Sequence, residues 1–204
     1  MGIDRRVLEE MPAEPLDQIA PKIRNGDILL CSATDPFSRL ISWSTGSPWT
    51  HVGFAWRWPD GGRILALECV QKMGVHAVPI DRFISQTSDG TTPYPGKIVL
   101  ARHDRMSKGA ADLGAVIKCG IDHMGDRFNP AEIAKIGMRI VSGRWDRKTP
   151  RPLRAKNEMI CSEYLDKCFK AGGVHIHWDG LGFIAPCDVA ADPQVTAVAR
   201  FQTR

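Results

Sequence analysis

Cys161 in MICSEYLDKCF, His51 in SPWTHVGF and Glu68 in RILALECVQ are the residues of this chain whose types and settings invite nucleophilic chemistry. Cys161 falls in the first turn of a helix predicted over residues 159–171, which Gly172-Gly173 ends. Amide groups at a helix start and the helix dipole favour a thiolate there. The same amides, with no carbonyl of their own helix to bond, could hold an oxyanion. A thiolate so placed is the nucleophile of acyl transfer. The competing reading is that Cys161, Leu165 and Cys168, at i, i+4 and i+7, are only the helix's buried stripe.

A base for that thiol comes from a hairpin: THVGFAWRW, a turn PDGG and RILALECVQ. If the loop is the four residues 59–62, odd positions on the first strand face even positions on the second. Glu68 then opposes Gly53, and His51 is its diagonal neighbour at roughly 5–8 Å. A lone carboxylate in the apolar run ILALECV is costly to bury. An imidazole beside it supplies the partner, and the carboxylate in return fixes the ring's tautomer and favours its charged form, as the orienting member of a triad does. A buried ion pair that merely fastens the hairpin fits these residues equally well.

The elements that must position these residues follow from turns and periodicity. Asn25-Gly26 opens a strand at 27–31, and further strands are predicted at 75–80, 97–103 and 195–201. Residues 36–49 read as a loop rich in Ser and Trp. Helical spacing predicts one helix over 107–124. Another opens at Asn129-Pro130, carries Ile133, Ile136, Ile140 and Val141 on one stripe and stops before Gly143. Strands first and helices later, with a hairpin that has no helical crossover, predict an α+β fold: an antiparallel sheet or small barrel packed against helices. Residues 1–20 read as a peripheral leader and 21–204 as a single domain, long enough to bury roughly 70% of its unfolded surface.

Composition narrows the partners. Hydrophobic residues at 43% and charged residues at 25% are ordinary for a globular chain and exclude long disorder and collagen-like repeats. No apolar run approaches the roughly 18–20 residues of a membrane helix, and MGIDRRVLEEMPAEP has no apolar signal core, so a cytoplasmic protein without a transmembrane segment is expected. The net charge is +4, but residues 144–156 hold six basic groups against Asp146 and leave −1 on the rest. The basicity belongs to one loop rather than to a stripe, so no nucleic-acid partner is expected. Six cysteines lie mostly in apolar stretches and are expected to be reduced. His175 and His177, near Cys168 and Cys187, lack zinc-site spacing; no metal and no cofactor are expected. Four of the six tryptophans fall at 43, 49, 56 and 58. Trp43 and Trp49 are candidates to line a substrate pocket, with His76 at its rim, whereas Trp56 and Trp58 have the parity opposite to His51 and pack behind the sheet.

Taken in order, GDIL (26–29), SPWTHVGF (47–54), ALE (66–68), GDRF (125–128), CSEYL (161–165) and APCDVA (185–190) resemble the circularly permuted NlpC-like branch of papain-fold cysteine enzymes, the YiiX/YebB group. That group is related more distantly to lecithin:retinol acyltransferase-like proteins. The resemblance covers about residues 21–190, and THVGF and CSEYL are its most specific blocks. It implies a permuted papain-like fold in which the histidine and polar strands precede the cysteine helix. It further implies Cys161 as nucleophile, His51 as general base and acid, Glu68 as the residue orienting the imidazole, and Tyr164 beside the centre. In GDRF, Arg127 stands where relatives often carry an aromatic residue. The implied activity is a thiol hydrolase of amide bonds in a small peptide, a cell-wall-type peptide or an N-acyl amino acid. Acyl transfer, an ester or lipid substrate, and a non-catalytic ligand-binding module remain the alternatives.

Overall fold

A computed structural model describes residues 2–87, 90–128, 158–178 and 184–203. The helix expected from Asn129 and the basic segment 144–156 lie outside these residues. Among the described residues seven strands form one mixed, open sheet in the order β1-β9-β6-β2-β3-β4-β5. They are β1 (Ala13–Glu14), β2 (Ile28–Ala33), β3 (His51–Trp58), β4 (Arg63–Val70), β5 (Gly74–Pro79), β6 (Gly96–His103) and β9 (Val195–Phe201), with β7 (Arg127–Phe128) and β8 (Glu158–Met159) paired separately. All neighbours in the large sheet are antiparallel except β1 and β9. The fold is therefore α+β as expected, and the sheet is open rather than a barrel.

The central strand β2 shows why the sequence alternates so little here. Ile28 and Leu30 face a core shared with α6 (Leu113–Asp122) and α7 (Cys161–Ala171). Leu29 and Cys31 face a second core with Ile19, Ile23 and the residues Ile80, Phe83 and Ile84 of α4 (Ile80–Ser85). A strand covered on both faces reads as a continuous apolar run. Asp27, at its entrance, is buried and holds Arg102 of β6 through two contacts of 2.6 and 2.7 Å. Packing of α6 against the sheet and α7 is close because Gly120 has no side chain: a Cβ there would stand 3.0 Å from Leu67 and Phe54 of the sheet and 3.1 Å from the Tyr164 hydroxyl of α7.

Three expectations are corrected. Residues 36–49 are not a loop, since Pro36–Thr45 forms helix α3, with Asp35 accepting from the amides of Phe37 and Ser38 and Gly46 closing it at φ 63°. The segment 107–124 is not one helix: α5 (Asp104–Ser107) stops, Gly109 turns at φ 66°, and Asp112 caps α6 by accepting from the Ala115 amide. The leader, which includes α1 (Arg5–Glu10) and α2 (Leu16–Ile19), is woven into the domain. Ile3, Leu8 and Ile19 are buried, β1 pairs with β9, and the Ile3 carbonyl accepts from the Trp49 indole at 2.8 Å.

Candidate active site

His51 is the first residue of β3, held at the end of the sheet by its predecessor. The Thr50 amide donates to the Cys31 carbonyl at 2.8 Å, and the Thr50 hydroxyl accepts from the Ala33 amide at 3.0 Å. The hairpin has the predicted four-residue loop, with Trp58 opposite Arg63 and Phe54 opposite Leu67. Continuing that register sets Glu68 against Gly53, one diagonal step from His51. His51 Nε2 meets Glu68 Oε2 at 2.7 Å. Glu68 is only 2% exposed.

Cys161 opens α7, an 11-residue helix whose first turn is fixed from three sides. The Glu163 carboxylate accepts from the Ile160 amide at 3.3 Å. Ser162 donates to the Ile184 carbonyl at 2.7 Å. The thiol of Cys69, next to Glu68, donates to the Met159 carbonyl at 3.4 Å. Cys161 and His51 line the same cavity, and the Cys161 sulfur is close enough to act on the charge of the His51 ring. Since Nε2 of that ring is committed to Glu68, Nδ1 is the nitrogen left for the thiol. The stripe of Cys161, Leu165 and Cys168 is indeed buried, yet Cys161 also lines an open cavity.

That cavity has a volume of about 300 Å³. Phe37, Ser38 and Ile41 of α3 form one wall, Phe128 another, and Tyr94 and the strand end Cys69–Lys72 close it around His51 and Cys161. Lys72 stands on its lip at φ 71°, and the Met73 amide donates back to the Gln71 carbonyl at 2.9 Å, a γ-turn of the strained hand.

Charge follows from this packing. Burial alone would lower the His51 imidazole, but the Cys161 thiol and the Glu68 carboxylate outweigh it and lift it to about 10. Burial would raise Glu68, but donors on His51 and His76 hold it down at about 2. Burial pushes the thiols of Cys31, Cys69 and Cys168 up, which keeps them protonated. The arrangement thus holds a charged His51 ring beside the Cys161 sulfur, with a carboxylate behind the ring.

The structure brings Cys161, His51 and Glu68 together and sends the other expected site residues elsewhere. Tyr164 is fully buried on Phe54, its hydroxyl donating to the Gly120 carbonyl at 2.9 Å; three residues past Cys161 it points into the α6–α7 core, not the cavity. Trp49 is equally buried, anchored on Ile3. Trp43 is 63% exposed on α3, and Trp58 is exposed as well, its ring tilted 31° to that of Trp56 with centroids 6.3 Å apart. His76 is not on the rim. It sits across from Glu68 on β5 and donates to Glu68 Oε1 at 3.1 Å. The α3 wall was missed because residues 36–49 were read as loop, although Asp35-Pro36 and Gly46 are a cap, a first-turn proline and a left-handed stop.

No family model matches the sequence, and no curated protein does. Among solved structures, this fold is similar to that of "metalloprotein yiiX from Escherichia coli O157:H7, DUF1105", at 16% identity and a TM-score of 0.59, over 87% of this chain and 97% of that one. The likeness shows a YiiX-like fold. That neighbour is described as a metalloprotein; among the described residues of this chain no group of three or more His, Cys, Asp or Glu side chains is arranged to hold a metal ion. Both oxygens of Glu68 are instead on imidazole nitrogens. No described helix is long and apolar enough to cross a membrane.

Proposed function

We propose that this protein is a cysteine-dependent acyl-transfer enzyme of the permuted papain-like kind, hydrolysing an amide bond of a small peptide, a cell-wall-type peptide or an N-acyl amino acid. The observation that carries the reading is His51 placed between Cys161 and Glu68 at the mouth of one cavity. The Cys161 thiolate attacks the carbonyl carbon, and first-turn amides of α7 stabilise the tetrahedral oxyanion. The carbon–nitrogen bond breaks as His51 passes its proton to the leaving amine. A water molecule then gives a proton to His51 while its hydroxide adds to the thioester carbon, the carbon–sulfur bond breaks, the carboxylic acid leaves, and the Cys161 thiolate and His51 imidazolium are restored. An amine is a poor leaving group unless protonated, and an imidazolium that keeps its proton to about 10 supplies that proton across the neutral range. The apolar wall of Phe37, Ile41 and Phe128 suits an acyl or apolar group on the carbonyl side.

The test is the pH dependence of alkylation at each cysteine, located by mass spectrometry, in wild type and His51→Ala. Cys161 is expected to react fast below pH 7, ahead of the five other cysteines, and to lose that reactivity in His51→Ala. Turnover of small acyl amides, lost in Cys161→Ala, is the companion result. Slow reaction of Cys161 below pH 7, or reaction that is indifferent to His51, overturns the reading.

A further inference from the structure

His76 has no place in the sequence-derived triad, yet its two ring nitrogens both face acceptors. Nε2 lies 3.1 Å from Glu68 Oε1, and Nδ1 lies 3.3 Å from the Gly74 carbonyl. A neutral imidazole has one donor nitrogen and one acceptor nitrogen, so it leaves one of these contacts without a proton. The imidazolium satisfies both. Glu68, buried on β4, thereby carries a cationic ring on each oxygen, His51 on one and His76 on the other.

We propose that His76 is a positioning residue of the site: an imidazolium pinned between the Gly74 carbonyl and Glu68, it locks the carboxylate plane and takes up part of the charge on which His51 is oriented. The proposal rests on the acyl-transfer reading above and adds a fourth member to it. The His51 and His76 side chains are each 21% exposed, so solvent screens part of the repulsion between the two rings that Glu68 holds together. Sharing the carboxylate weakens its hold on His51, so that the ring can still release its proton to a leaving group. The geometry comes from a short connection. The turn centred on Lys72 sets β5 against β4 with His76 directly opposite Glu68 and Val75 opposite Cys69.

The charged and titratable groups around His76 are Glu68 on β4 and His51 on β3, which face it directly. The elements packed on β5 bring Asp81 and Arg82 on α4, and Asp126 and Arg127 in the segment against its start. Glu68 raises the His76 imidazole above its ordinary value although burial works against it, and His51 opposes the rise.

Nuclear magnetic resonance of ring nitrogens labelled with nitrogen-15 tests this without a substrate. In wild type both nitrogens of His76 are expected to remain protonated above pH 6.5; a His76 midpoint at or below 6.5 overturns the proposal. The second measurement uses Cys161→Ala protein, in which no thiolate holds the proton on His51. Adding His76→Gln there keeps an amide donor for Glu68 but removes the positive charge. The His51 midpoint is then expected to rise by about one pH unit, the scale of one charge a few ångströms further along a partly buried cluster. A residue that only braced the strand would leave that midpoint unmoved or let it fall, and either result rejects the charge-sharing role. These outcomes are separate from the alkylation test, which can succeed while His76 fails.

Discussion

Two carboxylates with histidines beside them, Glu68 and Asp192, behave in opposite ways among the described residues. At one end His51 meets Glu68 at 2.7 Å and is driven up to about 10. Elsewhere His103, fully buried on β6, stands 3.9 Å from Asp192, and burial lowers its imidazole. The difference lies in what else the carboxylate holds. Asp192 accepts from the backbone amides of His177 at 2.7 Å and Gln194 at 2.8 Å, so its charge is met by fixed dipoles. The exposed His177 ring also brings its Nδ1 to 3.4 Å from Asp192 Oδ2, which leaves His103 at a distance, and His103 Nε2 has no hydrogen-bond partner among the described residues. Among the described residues, Glu68 is held by imidazole rings alone. A carboxylate met by backbone amides leaves the buried ring beside it uncharged, whereas one without backbone donors draws in a charged ring.

The sharpest way to break this contrast is to remove its reacting members. Cys161→Ala is expected to abolish turnover of acyl amides, and His51→Ala to reduce kcat/KM by at least about 10²–10⁴-fold. Equivalent substitutions of the other pair, His103→Asn or Asp192→Asn, are expected to leave kcat/KM within about threefold in protein that folds. Comparable losses from both pairs would erase the distinction.

Glu68→Gln comes next in size. It leaves His51 and His76 facing an amide, and breaking one partner out of a buried ionic cluster costs on the order of 3–5 kcal/mol. The pH profile carries the more specific signature. His51 is raised from 6.5 to about 10, so its contribution to stability is full below pH 6.5 and is lost as pH climbs through about 10. Glu68 is lowered from 4.5 to about 2, so its contribution is full above pH 4.5 and is lost as pH falls through about 2. Urea unfolding of wild type should show both limbs with a maximum between about 4.5 and 6.5 from this cluster, and Glu68→Gln should remove the acid limb and shrink the alkaline one, the remainder coming from Cys161. An alkaline limb of unchanged size in Glu68→Gln would show that Glu68 does not hold the His51 proton.

Sequence reasoning reached the His51–Glu68 pair because one parity rule sufficed: an even turn at 59–62 puts the two on the same face whatever surrounds them. The next step, Glu68 to His76, was hidden. It depends on a three-residue turn whose centre, Lys72, adopts φ 71° without being glycine, so nothing in VQKMG announces the register. Tyr164 and Trp49 were misassigned for a different reason. Both are aromatic and close in sequence to reacting residues, but helix and loop geometry turns them into the α6–α7 core and onto Ile3. The leader carries no periodic signal, because its buried apolar residues Ile3, Leu8 and Ile19 are spread over 20 polar-looking residues, yet all three are buried in the two cores. Helix α3 was the avoidable miss, since Asp35, Pro36 and Gly46 state its limits.

The third comparison reads acid stability. His103 is depressed, so its contribution is present above the unfolded value of 6.5 and is lost as pH falls below it. Its Nδ1 accepts from the Arg105 amide at 3.2 Å at the start of α5. Asparagine can take over that cap without titrating, and His103→Asn should therefore lose less stability than wild type between pH 7.5 and 5.5. The expected difference is on the order of 1 kcal/mol, which denaturant midpoints resolve. Equal losses would mean that His103 charges freely in the fold and pairs with Asp192 after all, making the two pairs alike.

The smallest expected effect tests where strain is kept. Lys72 is the non-glycine residue with positive φ among the described residues, and it lies on the cavity lip beside the reactive pair rather than near Asp192. Strain of this kind persists where surrounding structure over-determines it, here a turn pinned between Gln71 and the Asp126 carbonyl that accepts from Val75 at 2.8 Å. Lys72→Gly should relieve about 1 kcal/mol in the folded state, partly offset by the greater freedom of glycine in the unfolded chain. A Tm gain of about 1–3 °C follows for a domain of this size. If the register of β5 needs that turn, the same variant should keep the His51–Glu68–His76 cluster and its pH profile unchanged, because glycine adopts the same φ at less cost. A fall in Tm would show instead that the Lys72 side chain itself contributes to stability, and that the Glu68 end stores no more backbone strain than the Asp192 end.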